Sequence, residues 1–221
     1  MAADPATVLG SGYSVSLFTT WTGSTIPQVW VKGLADEPPP ELRGADPAGT
    51  TVHMIPGMSA RAVTDQLGVV GPWHARLPHF RAAFTPSSGA ELQSEYLVPI
   101  GRAAEAIEGL RGLAALFAPL LQVSEIRTVA GDDLWLSGAF GTDVVALHFT
   151  WHRDWDGVHT VLPELERLLL PLGARPHWGK CFVATRPELA LAYPLLDRFG
   201  ELRDRNDPTR KFDNAFLARV L

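Results

Sequence analysis

Five stretches of this 221-residue chain read as strands and three as helices, and the two kinds do not alternate regularly. A repeated β-α-β unit is thereby excluded, and the pattern predicts an α+β fold: a large antiparallel sheet covered by helices. Residues 13–21 and 28–34 alternate polar and apolar side chains, with Gly23 and Pro27 supplying turn chemistry between them. Residues 92–98, 123–129 and 143–151 complete the strand set. Residues 36–50, where Pro38, Pro39 and Pro40 precede a cluster of Gly, Asp and Pro, read as a solvated loop.

Residues 101–121 carry Ile107, Leu110, Ala114, Phe117 and Leu121 at helical spacing, with Pro119 at the fraying end. Asp156 can cap a second helix whose stripe is Val158, Val161, Leu165 and Leu169, and Pro163 should kink or divide it. Pro194 suits the first turn of a third, with Leu195, Phe199 and Leu202 facing inward. Single domains run to about 100 to 200 residues, so the chain can bury one core, or one core and part of another.

Apolar residues make up 46% and charged residues 19%, a globular balance that excludes disorder of the whole chain. The formal charge of −5, without a block of Lys and Arg, argues against nucleic acid as a partner. Cys181 is the one cysteine, which excludes an internal disulfide and a Cys-based zinc cluster and suits a reducing compartment, by default the cytoplasm. The first residues have no basic segment followed by an apolar one, and no run of roughly eighteen apolar residues occurs. Neither secretion nor a membrane partner is expected.

Strand side chains alternate between faces, so Glu125 and Arg127 point the same way, and so do His148 and Thr150. If those strands neighbour each other, the four form a wall of donors and acceptors suited to a polyhydroxylated ligand. A solvent-facing salt bridge is the alternative reading of Glu125 and Arg127. The segment Arg175-Pro-His-Trp-Gly-Lys180 packs His177, Trp178 and Lys180 around two chain-bending residues, either as a functional loop or as a plain connection with Trp178 in the core. His152, Asp154 and Asp156 fit neither zinc nor EF-hand spacing, so no metal is expected. Dinucleotide, Walker and nucleophile-elbow motifs do not occur, and His53, His74, His79 and His159 are scattered.

Five ordered blocks, Glu91-Leu-Gln-Ser-Glu-Tyr96, Ser124-Glu-Ile-Arg-Thr-Val129, Asp132-Asp-Leu-Trp-Leu-Ser137, Phe149-Thr-Trp-His-Arg-Asp-Trp155 and Ala174-Arg-Pro-His-Trp-Gly-Lys180, resemble the C-terminal half of bacterial alditol oxidases. These are flavoproteins of the vanillyl-alcohol-oxidase type, related to aldonolactone oxidases. The resemblance implies a substrate-binding cap domain over residues 1–173 and a segment over residues 174–221 that returns to an FAD domain. It implies Glu125, Arg127, His148, Thr150 and Lys180 as polyol-binding residues, with Lys180, Arg127 and Glu125 acting on the reacting carbon and His177 and Lys180 at the flavin. It also implies FAD as cofactor, oxygen as acceptor, and an aldose and hydrogen peroxide as products. The family's glycine-rich pyrophosphate loop and its flavin-linking histidine are not found in the sequence, so an FAD-binding domain or subunit is the expected partner. A non-catalytic polyol-binding module, the relic of a truncated gene and an aldonolactone oxidase fragment are the competing readings. In Asp207-Pro-Thr-Arg-Lys-Phe212, Arg210 stands where these families usually have glycine, and a left-handed turn costs more there.

Overall fold

In a computed structural model, which describes residues 5–38, 40–42, 44–84 and 90–221, the strands form one antiparallel sheet. The first four residues of the chain and Pro39 of the proline run lie outside the described residues. Strands β1 (Ser14–Thr19), β2 (Gln28–Lys32), β3 (Leu92–Pro99), β4 (Leu121–Val129), β5 (Val144–Trp151) and the short β6 (Arg175–Pro176) are arranged β2-β1-β4-β5-β3-β6. Helices α1 (Pro5–Leu9) and α2 (Trp73–Arg76) are short, α3 (Ala103–Phe117) and α4 (Trp155–Leu169) are long, and α5 (Arg186–Ala192), α6 (Leu196–Asn206) and α7 (Ala215–Val220) follow the sheet. None among the described residues is long and apolar enough to cross a membrane.

Helices α3 and α4 cover one face of the sheet. Tyr96, Val98, Ile126, Leu147, Phe149 and Trp151 point into that layer and meet Leu110, Phe117, Val161 and Leu165. Trp151 stacks on Phe149 at 5.1 Å between ring centroids, and its indole N–H donates to the Ser94 hydroxyl at 3.0 Å. The two helices approach closely at Gly109, where a Cβ would lie 2.6 Å from Leu168.

A bulge at the start of β4 decides which residues face this layer. Leu121 pairs with Trp151 and Val123 with Thr150, so Gln122 is the extra residue. Leu121 therefore enters the helix-covered core, while Val123 joins a second cluster with Phe18, Trp30, Met54 and Val63 on the opposite face. Without the bulge, the alternation would put Leu121 and Val123 on the same side.

Several local expectations are corrected. The helix read over 101–121 ends at Phe117, because Pro119 cannot continue the ladder and residues 118–120 tighten into a 3₁₀ turn. Asp154, not Asp156, caps α4, accepting the Gly157 N–H at 3.0 Å. That helix runs undivided through Pro163. In α6, Leu196 is the buried residue, and Leu202 lies on the exposed side. The stripe is shifted because Pro194 stands before the helix rather than in its first turn.

After α4, Gly173 turns the chain in the left-handed region at φ 82°, and Arg175 and Pro176 add to the edge of β3. The Glu166 carboxylate, buried between α4 and this segment, accepts from the Tyr96 hydroxyl and the Val183 N–H, each at 2.8 Å. The C-terminal helices build a small core of Phe182, Leu189, Tyr193, Leu196 and Val220, while Leu191 and Phe212 stay exposed. Arg210 does adopt the left-handed region, at φ 54°, in a turn closed by the Asp207 carboxylate, which accepts from the Lys211 and Phe212 N–H groups.

Candidate functional site

The sheet face opposite the long helices carries the polar residues. Glu125 on β4 pairs with His148 on β5, which pairs with Glu95 on β3, so the three form a row across adjacent strands. Arg127 on β4 and Ser16 on β1 are opposite each other in the next row. Thr150 lies two residues beyond His148, beside Val123 and Gln93. Lys180 reaches the same face from the segment after β6, which is tied to β3 by His177 N–H to Glu95 O at 2.9 Å and Cys181 N–H to Gln93 O at 2.8 Å. Of the residues singled out in the sequence, Glu125, Arg127, His148, Thr150 and Lys180 are thus brought together.

The residue at their centre is one the sequence reading did not single out. Glu95 is 2% exposed, and its carboxylate accepts from Arg127 Nη2 at 2.6 Å and from Lys180 Nζ. Burial alone would raise its pKa. His148, Arg127 and Lys180 outweigh that cost and hold the carboxyl well below the usual carboxylate range. Arg127 also stands 3.7 Å from Glu125, so one guanidinium faces both carboxylates.

Lys180 Nζ lies 2.8 Å from His148 Nδ1, and an ammonium can only donate. In neutral His148, Nδ1 is therefore the acceptor, and Nε2–H donates to Thr150 Oγ1 at 3.1 Å. A protonated His148 would instead turn Nδ1–H toward Glu95 Oε2, 3.3 Å away. The hydroxyl proton of Thr150 remains available to a ligand.

On the far side of the row, Glu125 accepts from the Ser16 hydroxyl at 2.7 Å and contacts His79 Nε2 at 2.9 Å. Burial would raise its pKa, but His79, Arg127 and Ser16 bring it down to about 2. Beyond His79 lies Lys32, whose pKa burial lowers to about 8, against the opposing pull of Glu125. Glu95 had a readable signal, since it alternates with Ser94 and Tyr96 on a strand. His79 and Lys32 had none, because His79 comes from a loop with no periodicity and Lys32 ends a strand of another hairpin.

His177 sits apart, exposed, with its Nδ1 accepting the Gly179 N–H at 3.1 Å, and burial of part of the ring lowers its pKa. Trp178 packs against Tyr193 at 4.8 Å and donates to Leu136 O at 2.9 Å. A cleft of about 530 Å³ beside Lys180 is lined by Gln93, Trp155, Gly179, Cys181, Phe182, Phe216 and Arg219. Among the described residues, no three of His, Cys, Asp and Glu gather as a metal site.

The D-arabinono-1,4-lactone oxidase family model matches residues 89–220, which contain Glu95, Glu125, Arg127, His148, Thr150 and Lys180. The chain belongs to that family. It shares 49% identity over 218 residues with an alditol oxidase of Streptomyces sp., covering 99% of this chain and 52% of the relative. An L-gulono-1,4-lactone dehydrogenase of Mycobacterium tuberculosis is 33% identical over 132 residues, 58% of this chain and 30% of the relative. Bovine L-gulonolactone oxidase is 33% identical over 102 residues, 43% of this chain and 22% of the relative. The chain therefore spans about half the length of the alditol oxidase and less of the other two. Members of the D-arabinono-1,4-lactone oxidase family are generally flavin oxidoreductases, and the chain resembles part of such an enzyme.

Proposed function

We propose that the polar face of the sheet is the polyol-binding wall of an FAD-dependent alditol oxidase, which oxidises a terminal CH–OH group with oxygen as electron acceptor to give an aldose and hydrogen peroxide. The observation that carries this reading is the gathering of Glu125, Arg127, His148, Thr150 and Lys180 on one face around buried Glu95. Each hydroxyl of a polyol both donates and accepts, and this face alternates charged acceptors with charged and neutral donors. A polyol is preferred to a lactone because the similarity to the alditol oxidase runs over nearly the whole chain, whereas the lactone-acting relatives match 58% or less of it.

In this reading Arg127 and Lys180 donate to the oxygen on the reacting carbon, and Glu125 accepts from the neighbouring hydroxyl. His148 and Thr150 hold hydroxyls further along the chain. Glu95 keeps both cations oriented and offsets part of their charge, while their N–H groups, aimed at the substrate oxygen, favour the ionised alcohol. FAD, when bound, supplies the hydride acceptor. The cleft beside Lys180, with Trp155 and Phe216 as apolar lining and Lys180 at its rim, is where the flavin ring would be held. His177, exposed nearby, is the second candidate for contact with the flavin. No glycine-rich pyrophosphate loop occurs in the sequence, so the nucleotide part is assigned to polypeptide outside these 221 residues. Residues 1–173 would then form the substrate side and residues 174–221 complete the flavin side.

The test is stopped-flow flavin reduction by xylitol after the chain is joined with polypeptide supplying the rest of the relative's length. Lys180→Met should slow reduction about a hundredfold, a loss of about 3 kcal/mol, as expected for one electrostatic donor. Reduction at the wild-type rate would overturn the assignment of Lys180 to the reacting oxygen.

A further inference from the structure

A second hydrogen-bonded chain reaches Glu125 from the side away from Lys180. Lys32 Nζ donates to the backbone carbonyl of Leu77 and lies 3.1 Å from His79 Nδ1. With no lone pair on the ammonium, His79 Nδ1 must accept, and the ring proton of neutral His79 resides on Nε2. That N–H donates to Glu125 Oε1 at 2.9 Å, and the Ser16 hydroxyl donates to the same oxygen at 2.7 Å. Ser16 Oγ is also 3.3 Å from His79 Nε2, which closes a small triangle at Oε1. Among the described residues, the other oxygen, Oε2, has only Arg127 Nη1 at 3.7 Å, longer than a hydrogen bond. The His79 ring stands edge-on to Phe18 at 5.5 Å and to Trp30 at 5.4 Å, so its orientation is held by packing as well as by polar contacts.

We propose that Lys32 and His79 are positioning residues for Glu125: together they occupy Oε1 and leave Oε2 as the acceptor offered to a ligand hydroxyl. This rests on the polyol reading above and extends it to two residues outside the family match. The arrangement depends on Lys32 being an ammonium. The groups facing Lys32 are Glu125, Arg127, His79 and the Leu77 carbonyl, and burial lowers its pKa to about 8. Below that pH the ammonium dictates the Nε2–H form of His79. Above it the neutral amine can accept a hydrogen bond from Nδ1–H, and a second tautomer, with no N–H for Glu125, becomes accessible. Polyol affinity should therefore decline as pH rises through about 8.

The experiment uses the full chain. Nitrogen-15 NMR follows the His79 ring nitrogens on either side of that pH, and backbone shifts follow a titration with xylitol. Neutral His79 should be in the Nε2–H form in the wild type, and Lys32→Met should populate both tautomers. His79→Phe keeps the aromatic packing but not the donor, and should weaken xylitol binding about tenfold. His79→Gln offers an N–H to Glu125 and a carbonyl to Lys32, and should return binding to within about threefold of wild type. A purely structural histidine would be replaced as well by Phe as by Gln. Wild-type affinity in His79→Phe, or an Nδ1–H form in the wild type, would overturn the proposal. If His79→Phe does not fold, Lys32→Met decides, since an unchanged tautomer there overturns it equally. A folded wild-type chain indifferent to xylitol would instead remove the polyol reading, and this proposal with it.

Discussion

Two lysine–histidine pairs serve the polar face, and they differ in what the histidine reaches. Lys180 and His148 end on the neutral hydroxyl of Thr150, whereas Lys32 and His79 end on the carboxylate of Glu125. In each pair the ammonium makes Nδ1 an acceptor and so sends the ring proton outward through Nε2. Where that proton meets a hydroxyl, the hydroxyl is turned into a donor. Where it meets a carboxylate, one oxygen is consumed and the other stays an acceptor. The same device thus gives the face a donor end and an acceptor end, the asymmetry that the proposed polyol reading calls on to hold a chain of hydroxyls in one direction.

The largest test of that comparison is Glu95→Leu. Glu95 is the counter-ion of the Lys180 side, and removing it leaves Lys180 and Arg127 half-buried and facing each other. Breaking such a pair should cost about 3 to 5 kcal/mol in urea denaturation, and a cost below about 1 kcal/mol would show that solvent already balances these cations. Acid unfolding is the next test. Both carboxyls have native pKa values below the unfolded value of 4.5, so the unfolded state binds more protons in this range. Their stabilisation is fully present above about pH 4.5 and is lost as pH falls, through about 2 for Glu125 and lower still for Glu95. Glu125→Gln should flatten the decline by roughly 3 kcal/mol, measured as stability from pH 5 downward. An undiminished decline would move the acid sensitivity elsewhere. The smallest effect belongs to Thr150→Val in the joined oxidase. It should raise KM by about 1 kcal/mol with kcat nearly unchanged, more for five- and six-carbon polyols than for glycerol. A fall in kcat instead would bring Thr150 to the reacting carbon.

Much of this was legible from alternation. Once 123–129 and 143–151 were read as strands, Glu125 with Arg127 and His148 with Thr150 had to share faces, and the register made those faces the same one. Glu95 obeys the same rule on β3, but a single acid on a strand has no visible partner until the strand order is known. His79 and Lys32 were illegible for a different reason. Neither periodicity nor propensity states which loop covers which part of a sheet, and Ser16 and Glu125 meet across 109 positions of chain. Helices α3, α4 and α6 were read in kind but not in their ends, and the short α1, α2, α5 and α7 were not read. Asp154 and Asp156 are both acceptable caps by composition, and only the path of the chain out of β5 selects the first.

Cys181 offers a practical handle on all of this. It is the single thiol of the chain, half-buried, and it lines the cleft next to Lys180 while its amide is fastened to β3. A fluorine-bearing or fluorescent tag attached there by thiol chemistry would be free of competing labels. It would sit at the rim of the cleft without replacing any residue of the polar face, and its signal would register whatever enters.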